Sequence, residues 1–161
     1  MYRIKLLILL LISLTLLSCI NNHEKKSIKL SVAYIGGGYD GLMLSNQLRK
    51  HLNNFGMLDE ISKFQIQASI SHSYNLFITN IDNTSDRERV SSSIDLKIYD
   101  TDFECYTHFY ENDLSQFYVL AAGDKFISNK SAVEKIKIEN VDYFVKVFIN
   151  NLNESDLICN E

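Results

Sequence analysis

FQIQASISHSYNLFI, residues 64–78, carries the strongest structural signal in this chain. Apolar or aromatic side chains occupy most even positions, whereas Gln, Ser and Asn fill all the odd positions except the last. A period of two over fifteen residues predicts one long β-strand, because successive side chains of a strand point to opposite faces. We expect one face of this strand to be buried, and we interpret His72 on that face as a core residue rather than a ligand.

Two more strands are predicted after the long one, each preceded by a short polar turn. Residues 82–86 and 100–102 have the composition of turns. Strands are expected at about 88–99 and 103–110, and residues 111–116 are interpreted as a loop. Consecutive strands joined by short turns predict an antiparallel meander.

Helices are predicted on both sides of the meander. Residues 28–35 form a strand that ends at three glycines, and a helix follows at about 39–54. Its expected apolar stripe is Leu44, Leu48, Leu52 and Phe55. A long C-terminal helix has a capping-box pattern at 131–134, and its start is left open between there and Phe117. The order β-α-β-β-β-α predicts an α+β fold of two layers, with a mostly antiparallel four-stranded sheet and two helices on one face.

The N-terminus has the layout of a secretory signal peptide. Arg3 and Lys5 precede an apolar run of about 12 residues, which is shorter than the roughly 20 needed to span a bilayer. An uncleaved membrane anchor is the less favoured alternative. Residues 16–19, Leu-Leu-Ser-Cys, resemble the bacterial lipobox, which implies that Cys19 is acylated and becomes the first residue of the mature protein.

The chain is therefore expected to divide into four segments. They are a lipoprotein signal peptide (1–18), a lipidated tether (19–27), a single α+β domain (28–153) and a polar C-terminal tail (154–161). Acyl chains on Cys19 would anchor the domain in a lipid bilayer. Ile20, rather than an aspartate, follows Cys19, and the resemblance to the sorting pattern of Gram-negative lipoproteins implies the outer membrane, on its periplasmic side, as the location.

Composition excludes some functions and leaves others open. Removal of Arg3 and Lys5 with the signal peptide leaves 14 basic against 20 acidic residues, a net charge of −6. This acidic balance argues against nucleic-acid binding. Besides Cys19, the chain has Cys105 and Cys159, and these could form a disulfide or remain free thiols.

No motif of catalysis or cofactor binding is convincing. Residues 36–41 match G-x-G-x-x-G formally, but the chain lacks the alternating strands and helices of a dinucleotide fold, so we interpret the glycines as a turn. Residues 71–73, Ser-His-Ser, cannot meet within a strand because neighbours point to opposite faces. The four histidines are scattered, which argues against a metal site. We therefore predict a protein that is not an enzyme and needs no cofactor.

Basic residues cluster near the predicted turns and element ends. They are Arg87, Arg89, Lys125 and Lys130. Each alone is most simply a solvated surface residue. Together they are candidates for binding lipid phosphates, because guanidinium and ammonium groups form charge-assisted hydrogen bonds with phosphate.

The ordered set of features resembles the LPS-assembly lipoprotein LptE family. It comprises the lipobox cysteine, the opening strand, the helix with Asn46-Gln47-Leu48-Arg49, the long alternating strand, Arg87-Glu88-Arg89, and residues 108–124 before a long helix. The resemblance implies a plug inside the outer-membrane barrel LptD that binds lipopolysaccharide (LPS) during its delivery. It places Arg87, Arg89 and Lys125 in the phosphate-contacting regions. The alternative is a periplasmic or surface lipoprotein with an unrelated protein partner.

Overall fold

The computed structural model of this chain describes residues 28–78, 86–119, 126–152 and 157–159. Its elements are β1 (Ser31–Gly36), α1 (Gly38–Asn54), β2 (Phe64–Ile78), β3 (Asp86–Asp100), β4 (Cys105–Val119) and α2 (Phe126–Leu152). The expected order β-α-β-β-β-α and the α+β class are confirmed. The signal peptide, the tether with Cys19, and Lys125 lie outside the described residues.

The four strands form one mixed sheet in the order β1-β2-β3-β4. β1 pairs with β2 in parallel, and the other two pairings are antiparallel. We call the end where β1 and β2 begin the proximal end, and the end where β2 stops and β3 begins the distal end. Because β1 pairs only with residues 65–69, the proximal end has four strands and the distal end has three.

Both helices pack on one face of the sheet, which we call the helix face, and the opposite face is the open face. The apolar side chains that are fully buried between sheet and helices include Leu44, Leu48, Leu52, Ile66, Leu96, Ile98, Val141, Phe144, Val145, Phe148, Ile149 and Leu152. Burial of such side chains is the main favourable contribution to folding. Phe55 was expected in this stripe, but α1 ends before it and its side chain is exposed.

The predicted loop at 111–116 is wrong, because these residues belong to β4, which continues to Val119. The pairing with β3 continues unbroken through Ile94↔Asn112 to Arg87↔Val119. Apolar and polar residues do not alternate regularly in residues 111–119, because the helix face carries polar as well as apolar residues at this end of the sheet. Both faces of β4 can then be polar without breaking the backbone ladder.

The start of α2 at Phe126 falls within the range that the sequence left open, so the capping-box pattern at 131–134 is not its N-terminal cap. Ser131 therefore lies inside the helix, where it is exposed to solvent. A solvent-facing serine is tolerated at such a position, since its hydroxyl can hydrogen-bond water. The S-x-x-E spacing at 131–134 therefore does not mark the start of a helix.

A β-bulge near the proximal end changes which side chains of β4 share a face. The β3–β4 register shifts between Ile98 and Tyr99, so that Thr107 is the extra residue. Strict alternation would place Tyr106 and Tyr110 on the same face, and the bulge places them on opposite faces. Tyr106 contacts Tyr99 on the open face, whereas the ring of Tyr110 lies 5.8 Å from Phe148 on the helix face.

The glycine-rich segment forms the turn from β1 into α1. Gly37 and Gly38 have φ angles of 110° and 59°, which side chains rarely adopt. A Cβ on Gly41 would lie 2.5 Å from the carbonyl oxygen of Gly36. The segment therefore serves close packing of helix against strand.

A disulfide joins Cys105 at the start of β4 to Cys159 in the C-terminal segment. The sequence had left this pairing open. Leu157, two residues before Cys159, packs against the hydrophobic core. The end of the chain is thus attached to the proximal end of the sheet.

Candidate functional site

The open face is the largest surface that the helices leave uncovered, and the strand register orders its side chains into rows. From proximal to distal, the rows across β2, β3 and β4 are Gln65–Tyr99–Tyr106, Gln67–Lys97–Phe109, Ser69–Asp95–Glu111, Ser71–Ser93–Asp113, Ser73–Ser91–Ser115 and Asn75–Arg89–Phe117. Three chemically different zones follow from this order: aromatic, then hydroxyl and acidic, then basic and apolar.

The distal zone contains both arginines that the sequence singled out. Arg87 and Arg89 lie two residues apart on β3, so their side chains leave the same face of the sheet. Across the β3–β4 pair, Arg87 is opposite Val119 and Arg89 is opposite Phe117, and both apolar partners are exposed. Two guanidinium groups beside exposed apolar side chains can accommodate a ligand that carries both phosphate and hydrocarbon.

The middle zone is a shallow depression lined by hydroxyl and carboxylate groups. Ser69, Ser71, Asp95, Glu111 and Asp113 contribute to its lining. The ammonium group of Lys97 also forms an ion pair with the Asp95 carboxylate at 3.0 Å. The hydrogen bond that Lys97 donates to this carboxylate raises the pKa of Lys97. The carboxylates make this zone acidic, in contrast to the distal zone.

A second polar cluster lies on the helix face, where the hydrophobic core ends. Ser92 is fully buried, and its hydroxyl oxygen lies 2.7 Å from Nδ1 of His72. Asn140 of α2 donates to the same hydroxyl at 2.7 Å, and Gln116 donates to the Asn140 carbonyl oxygen at 2.6 Å. This chain of hydrogen bonds, the buried polar cluster, links α2 to all three long strands.

An ion pair lies beside the buried polar cluster. Lys137 of α2 donates to Asp40 of α1 at 3.3 Å, and its ammonium group lies 5.7 Å from the ring of Tyr74. Burial disfavours the charged form of Lys137, but hydrogen bonds with Tyr74 and Asp40 outweigh it and raise the pKa of Lys137. Burial lowers the pKa of His72 despite the attraction of Asp40, so His72 is neutral near pH 7.

Ser92, His72 and Asp40 have the residue types of a hydrolytic triad, but their geometry is structural. The Ser92 hydroxyl and the His72 side chain are 0% and 1% exposed, so a substrate cannot reach them. Nε2 of His72 lies 4.0 Å from the nearest Asp40 oxygen, beyond hydrogen-bonding distance. The sequence rightly excluded the Ser71 and Ser73 hydroxyls and missed Ser92, because only the strand register places it opposite His72.

Neither a metal cluster nor a membrane-spanning helix occurs in the described residues. They contain no group of three or more His, Cys, Asp or Glu side chains arranged to hold a metal ion. Within the same residues, no helix has the length and hydrophobicity needed to cross a membrane.

Known proteins are similar to this chain in fold and distant in sequence. No protein family and no curated protein matches it by sequence. A minor lipoprotein from Acinetobacter baumannii superposes with a TM-score of 0.60 at 13% identity, over 84% of this chain and 97% of that one. The rare lipoprotein B from Shewanella oneidensis gives 0.56 at 10% identity, over 76% and 95%.

A third solved structure, a putative lipoprotein from Caulobacter crescentus, gives a TM-score of 0.54 at 15% identity, over 78% of this chain and 88% of that one. All three comparisons cover most of both chains, so the likeness includes the whole domain rather than one motif. The chain therefore has an α+β fold that occurs among bacterial lipoproteins.

Proposed function

We propose that this chain is a non-enzymatic outer-membrane lipoprotein that assembles with an LptD-type barrel and helps deliver LPS to the outer leaflet. In this proposal Cys19 carries the acyl chains, and the domain stays on the periplasmic side. The lipobox-like residues 16–19 and the fold likeness to three bacterial lipoproteins support the class.

The observation that carries the proposal is the chemistry of the distal zone. LPS is an amphiphile with phosphate groups next to acyl chains. Arg87 and Arg89 offer charge-assisted hydrogen bonds to phosphate, and exposed Phe117 and Val119 offer apolar contact on the same face. An acidic protein that concentrates two arginines beside exposed apolar groups is suited to such a ligand.

The central rows of the open face support contact with a barrel interior. Serine hydroxyls at 69, 71, 73, 91, 93 and 115 cover this part of the sheet. The interior of an outer-membrane barrel is polar, so a hydroxyl-rich sheet face is compatible with lying against it.

A non-enzymatic role is supported by the state of the one Ser–His pair in the buried polar cluster. Ser92 and His72 are inaccessible and are both engaged with each other beneath α2. Hydrolysis would require the nucleophile to reach a substrate. Their hydrogen bonds instead join β2, β3 and α2, which stabilises the sheet beyond its main apolar cluster.

The first test is an affinity pull-down of the acylated full chain from its own membranes in mild detergent, followed by mass spectrometry. Recovery of a large outer-membrane barrel in equimolar amount is the expected result. Recovery of an unrelated protein in its place would favour the alternative of a lipoprotein with another partner. Isolation of the chain alone would overturn the barrel proposal.

The second test addresses the ligand. The double variant Arg87→Ala/Arg89→Ala is expected to weaken LPS binding by about tenfold or more, since a hydrogen bond to a charged group contributes about 1.5–3 kcal/mol. Lys50→Ala/Lys135→Ala removes two exposed charges elsewhere and is the charge-matched control. Equal binding by both double variants in a direct titration would exclude the distal zone as the phosphate site.

A further inference from the structure

Three large apolar side chains project into solvent from loops. Phe55, Ile61 and Phe103 are 55%, 93% and 70% exposed. We call them the apolar tips. Phe55 follows α1, Ile61 lies in the loop before β2, and Phe103 lies in the turn between β3 and β4. Exposed apolar groups that cluster at one place commonly mark an interaction surface.

Backbone contacts place all three loops at the proximal end of the sheet. The amide of Leu30 donates to Met57 at 2.8 Å, which holds the loop after α1 beside the start of β1. The amide of Thr101 donates to Lys63 at 3.0 Å, which joins the turn before β4 to the loop before β2. The ammonium group of Lys63 also lies 5.0 Å from the ring of Phe103.

The chain enters the domain at this same end. Ile28 packs against the core just before β1, and the side chain of Lys29 donates to the Gly56 carbonyl oxygen at 2.7 Å. Only residues 20–27 separate Ile28 from Cys19. Eight residues span at most about 28 Å when fully extended. A domain acylated at Cys19 therefore has its proximal end within a short distance of the bilayer.

We infer that the proximal end docks on the lipid bilayer, with Phe55, Ile61 and Phe103 entering its interface. This inference rests on the proposed acylation of Cys19, which supplies the local membrane. The acyl chains hold the domain at the surface, and the apolar tips fix its orientation. The distal zone then lies at the end of the domain opposite the docked surface, because the long strands run from one end to the other.

The charges at the proximal end indicate that docking depends on apolar contact rather than on lipid charge. Lys63 is already paired with Asp100 at 3.2 Å and with Asp102 at 3.4 Å, and Arg49 is paired with Glu60. Carboxylates thus neutralise Lys63 and Arg49, so anionic headgroups gain little attraction from these two groups. Docking is therefore expected to be insensitive to salt and to added anionic lipid.

The chain has no tryptophan, so one introduced indole reports its own surroundings. The acylated full-length mature protein would be placed in phosphatidylcholine vesicles with brominated acyl chains, with and without phosphatidylglycerol. Phe103→Trp and Ile61→Trp are expected to show a blue shift and loss of fluorescence by bromine quenching. Leu76→Trp, also exposed and at the distal end but outside the proposed ligand zone, is the matched control and should keep its emission.

A second pair of variants separates orientation from anchoring. In the Phe103→Trp background, Ile61→Glu should restore the fluorescence, whereas Leu42→Glu, a charge on an exposed site of α1, should not. Vesicle flotation is measured in parallel. Protein that floats but shows equal, unquenched emission at positions 61, 76 and 103 overturns the docking inference and leaves acylation intact. Protein that does not float overturns acylation of Cys19 and the docking inference with it.

Discussion

The proximal and distal halves of the sheet are built from the same long strands but differ in how deeply their apolar side chains are buried. In the proximal half, Ile66, Leu96 and Ile98 lie fully buried beneath both helices. In the distal half the same strands end in exposed Leu76 and Phe117. A region with many buried apolar contacts resists opening, whereas a region with few is less stable and more available for binding. The comparison predicts that the proximal half contributes more to folding stability than the distal half.

The buried polar cluster marks the border between the two halves. His72, Ser92 and Asn140 lie on β2, β3 and α2 at the distal edge of the main apolar cluster, and buried Val90 lies beyond them. Their hydrogen bonds satisfy Nδ1 of His72, the Ser92 hydroxyl and the Asn140 amide inside the domain, so that the strands can continue past this point. Four predictions, in order of decreasing effect, test this division.

The largest expected effect comes from a cavity in the proximal core. Phe148→Ala removes a fully buried ring that lies beside His108 and Tyr110, and it should lower the free energy of unfolding by about 3–5 kcal/mol. Leu76→Ala in the exposed distal half should change it by less than about 0.5 kcal/mol. Urea unfolding measures both variants. Similar losses would show that the two halves contribute equally to stability.

The next effect concerns the covalent attachment at the proximal end. The disulfide between Cys105 and Cys159 closes a loop over a sequence separation of 54. Replacing both cysteines by serine should lower the free energy of unfolding by about 2–4 kcal/mol. The reduced wild-type protein is the control and should show the same loss. A double variant as stable as the oxidised protein would mean that the C-terminal segment adds nothing to the proximal half.

A smaller loss is expected at the border. Asn140→Ala leaves Gln116 and Ser92 without their buried partner, which should cost about 1–3 kcal/mol. Asn150→Ala, on the exposed side of the same helix, is the control and should have little effect. Chemical denaturation of the two variants gives the comparison. If Asn140→Ala were neutral, the polar cluster would not be supporting the sheet.

The smallest effect is a pH dependence at the border. Burial lowers the pKa of His72 below 6.5, so the unfolded chain binds a proton more readily than the folded one. Stability should therefore fall as the pH drops below about 6.5, by at most about 1.4 kcal/mol per pH unit for one group. His72→Gln should flatten this slope when unfolding is measured against pH.

Other groups titrate in ways that can be separated from His72. Burial also lowers the pKa of His108, so part of the slope should survive in His72→Gln and disappear in the double variant with His108→Gln. The pKa values of Asp100 and Asp142 are lowered from 3.8, and their contributions are lost only at more acidic pH. An unchanged slope in the double variant would show that neither histidine is responsible.

The proximal strands could be predicted from the sequence, and much of the distal half could not. The bounds of β2 agree with the prediction, because its alternation reflects a core face along the first part of the strand. β4 was cut short at residue 110 because Asn112 and Gln116 face the helix side where polar groups replace the core. Periodicity identifies a strand only where one face is buried in apolar surroundings.

The candidate site could likewise be predicted from the sequence only in part. The sequence named Arg87 and Arg89 from their place near a turn, and their spacing of two puts them on one face. It did not show that Phe117 and Val119 lie beside them, because that depends on the register between β3 and β4. It also grouped Phe55 with the core, since a helical stripe does not reveal where the helix ends.

The sequence by itself determined the order of the elements, the one-sided burial of the sheet and the lipobox-like Cys19, because each is a local pattern of residue types. Only the tertiary structure decided which residues meet across the chain: Ser92 with His72, Cys105 with Cys159, and the apolar tips at one end. Pairings of this kind depend on strand register and loop closure over tens of residues, which local periodicity does not encode.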